Sequence, residues 1–483
     1  MDFELTEKGL FGLTVVPAGI VGATILACVW KRIRDLYFVL LIFLLPMIER
    51  LDVNFVSRDW YRGTSRGFEV SLLDPLIWGL LFSSMLAPRR GETRFYWPPG
   101  FALILLFFFY ACFNVAFTDP RLFSLFELWK WFRGVALVLA VALYLRSERE
   151  LHLLVFSVAL ILWHQGLLAI WERYHNGDDR VTGSFIASNS LSMLLCLLSP
   201  LIVAALNSRF PRSLKIFCAG AIPLALVAEV LTISRAGSII MPLVLLAATL
   251  AVISYRITAR KVVVTFLVVA LAVGITAKGW HSITTRFNEV SMKDEYGKHN
   301  LGRGYYLRVA RLIAVNEPIG VGLNNWSYWV SGKWSHMLGY GFVPYKGTDK
   351  EPSLKMPEHG LVDDSPQAAP AHNLCAITVG ELGIPGLLIF LTLWFRWFQM
   401  AGSFLRPRSS DPMCRMGVGI FFCLVGAFLH SWTEWALRQY TLYFLLHILV
   451  GALASLYWIK RQEKHVILRG TSEPEPELAC QGC

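Results

Sequence analysis

Residues 371–390, AHNLCAITVGELGIPGLLIF, pass from a histidine and an asparagine directly into a long apolar segment with a single glutamate. Such a segment has the length of a membrane helix, since about 20 apolar residues cross a ~30 Å hydrocarbon core. Lipid offers no partner to backbone amides, so the continuous apolar run predicts a helix rather than a barrel strand. His372, Asn373 and Glu381 therefore lie at the mouth of a predicted membrane helix, where polar side chains need an explanation.

The same apolar pattern recurs along almost the whole chain. Of its 483 residues, 55% are hydrophobic and 16% are charged, a composition that no ordinary soluble domain has. The candidate membrane helices lie near residues 10–30, 36–48, 70–87, 99–117, 128–145, 151–171, 188–206, 214–233, 237–255, 262–279, 373–395, 416–432 and 439–459. Two runs, 36–48 and 70–87, are short, so twelve helices are the alternative to thirteen. The sequence predicts an all-α polytopic membrane protein.

Lysine and arginine concentrate in alternate connections between these runs, and such residues mark the cytoplasmic side of a membrane protein. The basic connections are 31–35, 88–94, 146–150, 207–215, 256–261, 405–415 and the start of the tail, 460–464. The outer connections are then 49–69, 118–126, 172–187, 233–236, 280–372 and 433–438. The first outer connection carries four arginines and departs from the rule. The net charge of +11 is explained by cytoplasmic anchoring beside membrane lipid, so no nucleic-acid partner is needed.

The predicted helices divide the chain into four parts. N-terminal transmembrane helices occupy residues 1–279, a polar loop 280–372, C-terminal transmembrane helices 373–459, and a cytoplasmic tail 460–483. The acidic start, MDFELTEKG, lacks the basic region and the cleavage site of a signal peptide. By this topology the loop lies outside the cytoplasm, and long ordered loops are usually functional.

The nine cysteines lie mostly in apolar runs, which argues against a disulfide framework outside the cytoplasm. Cys480 and Cys483 form a C-x-x-C pattern in the tail TSEPEPELACQGC. A disordered tail explains this pattern, and a metal or redox site is the alternative.

Within the loop, the segment NLGRGYYLRVARLIAVNEPIGVGLNNW (300–326) predicts a short helix over residues 303–316. Its apolar stripe consists of Tyr306, Val309, Ala310 and Ile313, and Arg308 and Arg311 share another face. A turn follows, in which Gly320 and Gly322 allow the backbone to approach another group closely. The alternative to a functional role is an interfacial amphipathic helix followed by a turn.

Two upstream segments add polar residues to apolar surroundings. TISRAGSII (232–240) places Arg235 between two apolar runs, either as a snorkelling anchor or reaching into a cavity at membrane level. RVTGSFIASNSLSMLL (180–195) contributes Arg180 and Asn189, the latter also suited to cap a helix. All the candidate residues map to one side of the membrane: Arg180, Arg235, Arg303, Arg308, Arg311, His372 and Glu381.

Several arginines beside one histidine at a membrane surface suit chemistry on a lipid-linked diphosphate. Arginine grips phosphate oxygens with two hydrogen bonds and stays charged. Histidine is the usual general base near neutral pH. When a sugar leaves a diphosphate, negative charge grows on the diphosphate and positioned arginines stabilise it. The leaving group then needs no acid, and only the acceptor hydroxyl needs a base.

Four motifs, in order and with similar spacing, resemble those of the bacterial O-antigen ligase and O-antigen polymerase superfamily. They are RVTGSFIASNS (180–190), SRAG (234–237), GRG with NEPIGVGLNNW (302–326), and AHNL with GELGIPGLL (371–388). The similarity covers residues 180–390, and the predicted helices fit that superfamily over most of the chain.

The resemblance implies an inverting, metal-independent glycosyltransferase of the membrane-embedded GT-C type, with no cofactor. Such an enzyme transfers a preassembled glycan from undecaprenyl diphosphate to an acceptor at the periplasmic face of the bacterial inner membrane. By position, Arg235 and Arg303 match diphosphate-binding arginines, and His372 matches the histidine that activates the acceptor hydroxyl. Lipid A-core is the leading acceptor, which makes an O-antigen ligase the expected activity. Further candidates are Arg180, Arg308 and Arg311 for the diphosphate, and Asn373, Glu381, Gly320 and Gly322 as supporting residues.

Other interpretations stay open at this stage. The loop between residues 326 and 372 is longer than the pattern requires, and its His336 and His359 are rival bases. Asp363 and Asp364 in the same loop are either solvated or bind a metal. O-antigen polymerase and protein O-oligosaccharyltransferase would use the same donor. A transporter of lipid-linked glycans is the alternative from another class, for which Glu229 and His164 would be cited.

Overall fold

A computed structural model describes residues 7–58, 61–89, 94–252, 284, 303–331, 368–406 and 409–470. The predicted helix 262–279, the loop residues His336, His359, Asp363 and Asp364, and the terminal Cys480 and Cys483 lie outside the described residues.

Helices account for nearly all of the described secondary structure. They are α1 (Glu7–Val29), α2 (Ile33–Leu44), α3 (Ile48–Leu51), α4 (Asp74–Leu86), α5 (Phe101–Phe117), α6 (Arg121–Tyr144), α7 (Glu148–Trp171), α8 (Ser188–Leu206), α9 (Arg212–Thr232), α10 (Arg235–Val252), α11 (Arg303–Asn316), α12 (Trp326–Trp329), α13 (Leu374–Gly402), α14 (Pro412–Ser431) and α15 (Tyr440–Gly470). Short 3₁₀ turns span Leu45–Met47 and Ala436–Arg438, and a π turn spans Glu172–Asn176.

Eight of the described helices are long and apolar enough to cross a membrane. These spans are Gly12–Val29, Glu148–Asn176, Ser188–Leu206, Arg212–Thr232, Arg235–Val252, Leu374–Gly402, Pro412–Ser431 and Tyr440–Glu463. The predicted all-α polytopic membrane fold is confirmed at this level. The total of twelve or thirteen spans stays a prediction, because α4 and α5 are shorter and α6 carries several charged residues.

A two-stranded antiparallel hairpin, β1 (Asp52–Ser57) and β2 (Gly67–Ser71), is an element that the sequence analysis did not predict. Its register places Asn54 opposite Glu69 and Asp52 opposite Ser71. These four side chains share one face, since alternate residues of a strand point the same way. The predicted helix 70–87 begins instead at Asp74, because the preceding residues pair with β1.

Asn324 links the segment that follows α11 to the residues between β1 and β2, which we call the hairpin connection, through hydrogen bonds. Its Oδ1 accepts hydrogen bonds from the backbone N–H and the hydroxyl of Thr64, at 2.6 and 2.9 Å. Its Nδ2 donates to the carbonyls of Ser65 and Phe123, each at 2.8 Å. The residue is buried and adopts φ +62°, in the left-handed region that asparagine tolerates better than most residues.

Several of the basic connections meet at one end of the helix bundle, which we call the basic end. Lys31 donates to the carbonyl of Pro88 over 2.7 Å, and Arg89 pairs with Asp35 over 2.8 Å. Arg209 donates to Ser410 over 2.8 Å. The hairpin connection and the segments around residues 324, 372 and 434 lie at the opposite end, which we call the site end.

Several charged side chains inside the bundle are paired with each other, which offsets the high cost of an isolated charge in an apolar interior. Glu127 of α6 accepts hydrogen bonds from Lys130 and Arg438, over 2.6 and 2.9 Å. One turn further along α6, Arg133 pairs with Asp74 over 2.8 Å. These pairs join α6 to α4 and to the turn before α15. They therefore hold these three elements in fixed positions at the site end.

Candidate functional site

The candidate site is centred on a contact between His372 and Glu434. Asn373 caps α13 by accepting a hydrogen bond from the backbone N–H of Ala376 over 2.8 Å. The Asn373 amide also donates to the carbonyl of Trp432 over 2.9 Å, which holds the start of α13 against the turn after α14. In this arrangement Nδ1 of His372 lies 2.9 Å from Oε2 of Glu434. The His372 side chain is 35% exposed, whereas that of Glu434 is only 5% exposed.

Two further residues, Asn189 and Arg303, lie beside the Glu434 carboxylate. Asn189 donates to its Oε1 over 2.6 Å, and the Arg303 guanidinium lies 3.6 Å from the same oxygen. Burial alone would raise the pKa of Glu434, but the hydrogen bond from His372 and the charges of His372 and Arg303 lower it overall. Glu434 is therefore a buried, ionised acceptor that orients the imidazole of His372.

Arg303 is held in place by its own helix and by the turn that carries Glu434. It is the first residue of α11, and its Nε donates to the carbonyl of Thr433 over 3.0 Å. The helix has the predicted bounds, and it buries Val309, Ala310 and Ile313 as expected. Tyr306, on the first turn, lies with its ring centroid 5.4 Å from that of His372. Burial and the nearby Glu434 raise the pKa of Tyr306 to about 12, so its hydroxyl keeps its proton.

Arg180 extends this network to a third part of the chain. Its Nε donates to the carbonyl of Thr232 over 3.2 Å, and its Nη2 lies 3.5 Å from Oδ1 of Asn189. Asn189 thus bridges Arg180 to Glu434. Arg235, half-buried, is the first residue of α10 and follows Thr232 by three positions. The structure therefore connects Arg180, Arg303 and His372 through hydrogen bonds and ion pairs, with Arg235 next to the network along the chain.

Four of the site residues lie at the starts of helices. Asn189 is the second residue of α8, Arg235 and Arg303 begin α10 and α11, and Asn373 caps α13. The first backbone N–H groups of a helix lack partners within the helix, and the helix dipole places partial positive charge there. Together with the arginine side chains, this arrangement favours an anion such as a diphosphate.

The two predicted glycines have a structural role at the kink in α13. Gly320 adopts φ +91°, and a Cβ on it would lie 2.3 Å from the carbonyl oxygen of Glu381. The backbone N–H of Gly322 donates to the same oxygen over 2.9 Å. α13 itself is interrupted at Gly383, whose φ is +69°. The predicted close approach is thus an approach to the backbone of α13.

Three predicted residues lie away from the His372–Glu434 contact. Glu381 is buried two turns inside α13, where it accepts a 2.7 Å hydrogen bond from Arg438 and supports His372 only indirectly. Arg308 is half-buried and Arg311 is exposed, further along α11, and neither takes part in the hydrogen bonds described above. Their assignment to the diphosphate remains a prediction from helix geometry.

Sequence reasoning missed Glu434, which holds the network together. The signal was present, because Glu434 is the only acidic residue in the outer connection 433–438. It also missed His430, one turn before Glu434, whose Nε2 lies 3.3 Å from the hydroxyl of Ser192. Ser192 in turn donates to Glu229 over 2.8 Å, so a buried polar group lies beneath the site.

Comparisons with known proteins give no family assignment: no family model matches the chain, and no curated protein sequence matches it significantly. Across the described ranges, no group of three or more His, Cys, Asp and Glu side chains is arranged to hold a metal ion.

Proposed function

We propose that the protein is a membrane glycosyltransferase that moves a preassembled glycan from undecaprenyl diphosphate to a hydroxyl group of lipid A-core, as an O-antigen ligase. The observation that carries the proposal is the His372–Glu434 contact, with Arg303 and Arg180 joined to it at one end of the bundle. The four motifs that resemble the O-antigen ligase and polymerase superfamily supply much of this network and support the same assignment.

His372 is the general base in this proposal. With the ionised Glu434 as its partner, Nδ1 carries a proton and donates it in the hydrogen bond, which leaves the lone pair of Nε2 free. A partly exposed imidazole can receive an acceptor hydroxyl, while the buried carboxylate stabilises the imidazolium that forms.

Arg303 and Arg235 bind the diphosphate, and Arg180 adds charge nearby. Positive charge from arginines and helix starts stabilises the negative charge that develops on the leaving group. This role needs no metal and no cofactor. Arg303 is anchored through Nε to the Thr433 carbonyl, which positions its guanidinium beside the base.

The reaction is a single displacement at the anomeric carbon of the donor. The acceptor oxygen forms a bond to C1 as its proton passes to Nε2 of His372. The bond between C1 and the diphosphate oxygen breaks, and its electron pair stays on the diphosphate. Attack opposite to the leaving group inverts the anomeric configuration, as the GT-C assignment expects.

The site faces the periplasm of a bacterial inner membrane in this proposal. The basic end carries the lysine- and arginine-rich connections, which the positive-inside rule assigns to the cytoplasm. The His372–Glu434 contact is at the opposite end of the same bundle. A donor whose lipid lies in the membrane would present its diphosphate at that depth, and the acceptor would arrive from outside.

A transporter of lipid-linked glycans is the alternative that one observation favours. Glu229, Ser192 and His430 form a polar group inside the bundle, and intramembrane ionisable residues often mark transport paths. A transport mechanism predicts movement of lipid-linked glycan across vesicles that depends on Glu229 and is indifferent to His372.

In vitro transfer tests the proposal. Purified protein is incubated with undecaprenyl-diphosphate-linked glycan and lipid A-core in the presence of a chelator, and wild type is compared with Arg303→Ala and His372→Ala. Arg121→Ala is the matched control, because this arginine is exposed at the site end. Transfer that survives the chelator, is lost in both site variants and is retained in the control would support the ligase.

Two other outcomes have distinct meanings. Longer glycans on the donor, with unmodified lipid A-core, would identify a polymerase. The absence of both products, together with glycan movement across vesicles, would replace the ligase by a transporter.

A further inference from the structure

A polar cavity of about 310 Å³ lies at the site end, beside the candidate site. Two chain segments contribute to both: Glu434 belongs to the site and Trp435 to the cavity wall, while Asn189 belongs to the site and Ile186 to the wall. The opposite wall is the polar face of the hairpin, with Asp52, Asn54 and Glu69. The volume of the cavity is at the lower end of the ~300–1,000 Å³ range of ligand pockets.

The chemistry of the wall suits a ligand rich in hydroxyl groups. Carboxyl groups come from Asp52 and Glu69, a side-chain amide from Gln439, and a hydroxyl from Tyr440. Oδ1 of Asp52 is buried and has no hydrogen-bond partner among the described residues, whereas the Tyr440 hydroxyl lies beside Glu69. Buried polar atoms normally have partners, so this oxygen of Asp52 is suited to accept a hydrogen bond from a ligand.

One of the two carboxyl groups keeps its proton at neutral pH and therefore adds a hydrogen-bond donor to the acceptors of the cavity wall. Burial, followed by the charge of Asp52, raises the pKa of Glu69 to about 8, and burial raises the pKa of Asp52 to about 6. Arg133 of α6 faces both carboxyl groups, Asp74 of α4 opposes ionisation of Asp52, and Lys130 and Tyr440 lie beside Glu69. At neutral pH the pair therefore offers one carboxylate and one protonated carboxyl.

We propose that this cavity is a saccharide subsite that binds one or two sugar rings of a glycan through their hydroxyl groups, with Trp435 as the aromatic wall. The proposal rests on the proposed function for its place in the reaction, because the bound sugar would belong to the donor glycan or to the acceptor. A pyranose ring has polar edges and apolar faces. The hydrogen-bonding groups of the cavity suit the edges, and the ring of Trp435 suits a face.

Saturation-transfer NMR on the full chain in detergent micelles tests the subsite. The probes are the oligosaccharide released from lipid A-core and, in a separate arm, the glycan released from the donor lipid; the arm that binds identifies the source of the sugar. We expect Trp435→Ala and the similarly sized Gln439→Leu each to weaken binding by at least tenfold. Trp171→Ala is the matched control, since this tryptophan is 54% exposed at the same end and away from the cavity.

The outcomes separate this proposal from the catalytic one. Binding in neither arm, or binding that Trp435→Ala and Gln439→Leu leave unchanged in folded protein, would overturn the subsite. Arg303→Ala should retain saccharide binding while it loses transfer. Saccharide binding that depends on Trp435, in a protein that performs no transfer at all, would retain the subsite and reject the glycosyltransferase.

Discussion

Nη2 of Arg438 donates a 2.7 Å hydrogen bond to Oε2 of Glu381, deep inside the bundle. Arg438 ends the short segment that begins after α14 and carries Glu434. Glu381 therefore acts on the candidate site through the backbone of that segment. The distance between His372 and Glu434 depends on a buried ion pair that joins α13 to the segment after α14.

Removal of Arg438 should destabilise the whole protein. Arg438→Met leaves Glu381 and Glu127 buried without this cation, and we expect a loss of about 3–5 kcal/mol in the free energy of unfolding. Chemical or thermal unfolding in detergent measures this loss. Arg121→Ala breaks an exposed pair with Asp119, so we expect less than about 1 kcal/mol there. Equal effects would contradict a supporting role for the buried pair.

Glu434→Gln should slow transfer while leaving the fold intact. The glutamine can keep a hydrogen bond to His372 but loses the negative charge that stabilises the imidazolium. We expect a decrease in kcat of about 10- to 100-fold, and His372→Ala should lose about 10²–10⁴-fold. Steady-state kinetics of transfer, with thermal unfolding of each variant as a check on the fold, measure these losses. An unchanged kcat in folded Glu434→Gln would mean that the negative charge of Glu434 has no part in the reaction.

Gly320→Ala should detach the turn after α11 from the kink in α13. The added Cβ would overlap the Glu381 carbonyl, and alanine would also adopt a positive φ, which costs about 1–3 kcal/mol. Gly177→Ala is the matched control, because φ is +79° there and the Cβ would meet open space. A larger drop in Tm for Gly320→Ala than for Gly177→Ala would isolate the effect of the close contact. Equal drops would assign the whole cost to backbone strain.

The hairpin should lose stability as the pH rises. Between the ordinary glutamate pKa of 4.5 and about 8, folded Glu69 holds a proton that the unfolded chain releases. Its stabilising contribution is thus full at low pH and is lost as the pH rises through about 8. Thermal unfolding from pH 5.5 to 9 should show a falling Tm, and Glu69→Gln should flatten the curve. Glu463→Gln, an exposed control, should keep the wild-type slope.

Cysteine labelling should place the two ends of the bundle on opposite sides of the membrane. Arg406 is exposed at the basic end and Asp178 is exposed at the site end. In intact cells, a membrane-impermeant maleimide should label Asp178→Cys and spare Arg406→Cys until the membrane is permeabilised. Wild type reports the background from the native cysteines. The reverse pattern would place the site in the cytoplasm.

Local patterns carried most of the fold prediction. Continuous apolar runs predict helices because lipid leaves the backbone no other partner, and the bounds of α11 followed from its stripe and from Pro318. The hairpin was missed because each strand is only five or six residues long and borders an apolar run. Contacts between distant residues were also beyond local patterns: Glu434 is 62 residues from His372 and 245 from Asn189. The sequence shows which residue types are present, whereas the packing of α8, α11 and α13 determines which of them meet.

The hydrogen bonds of Asn324 determine when the site end can be completed during synthesis of the chain. Thr64, its partner, emerges 260 residues earlier. At a synthesis rate of ~5–20 residues per second, about 13–50 seconds pass between the synthesis of Thr64 and that of Asn324. The hydrogen bonds between the two residues cannot form before then. During that interval the polar backbone around residue 64 has to be satisfied by water or a chaperone. A nascent chain that stalls before residue 324 would therefore expose an unfinished site end, which membrane quality-control proteases could recognise.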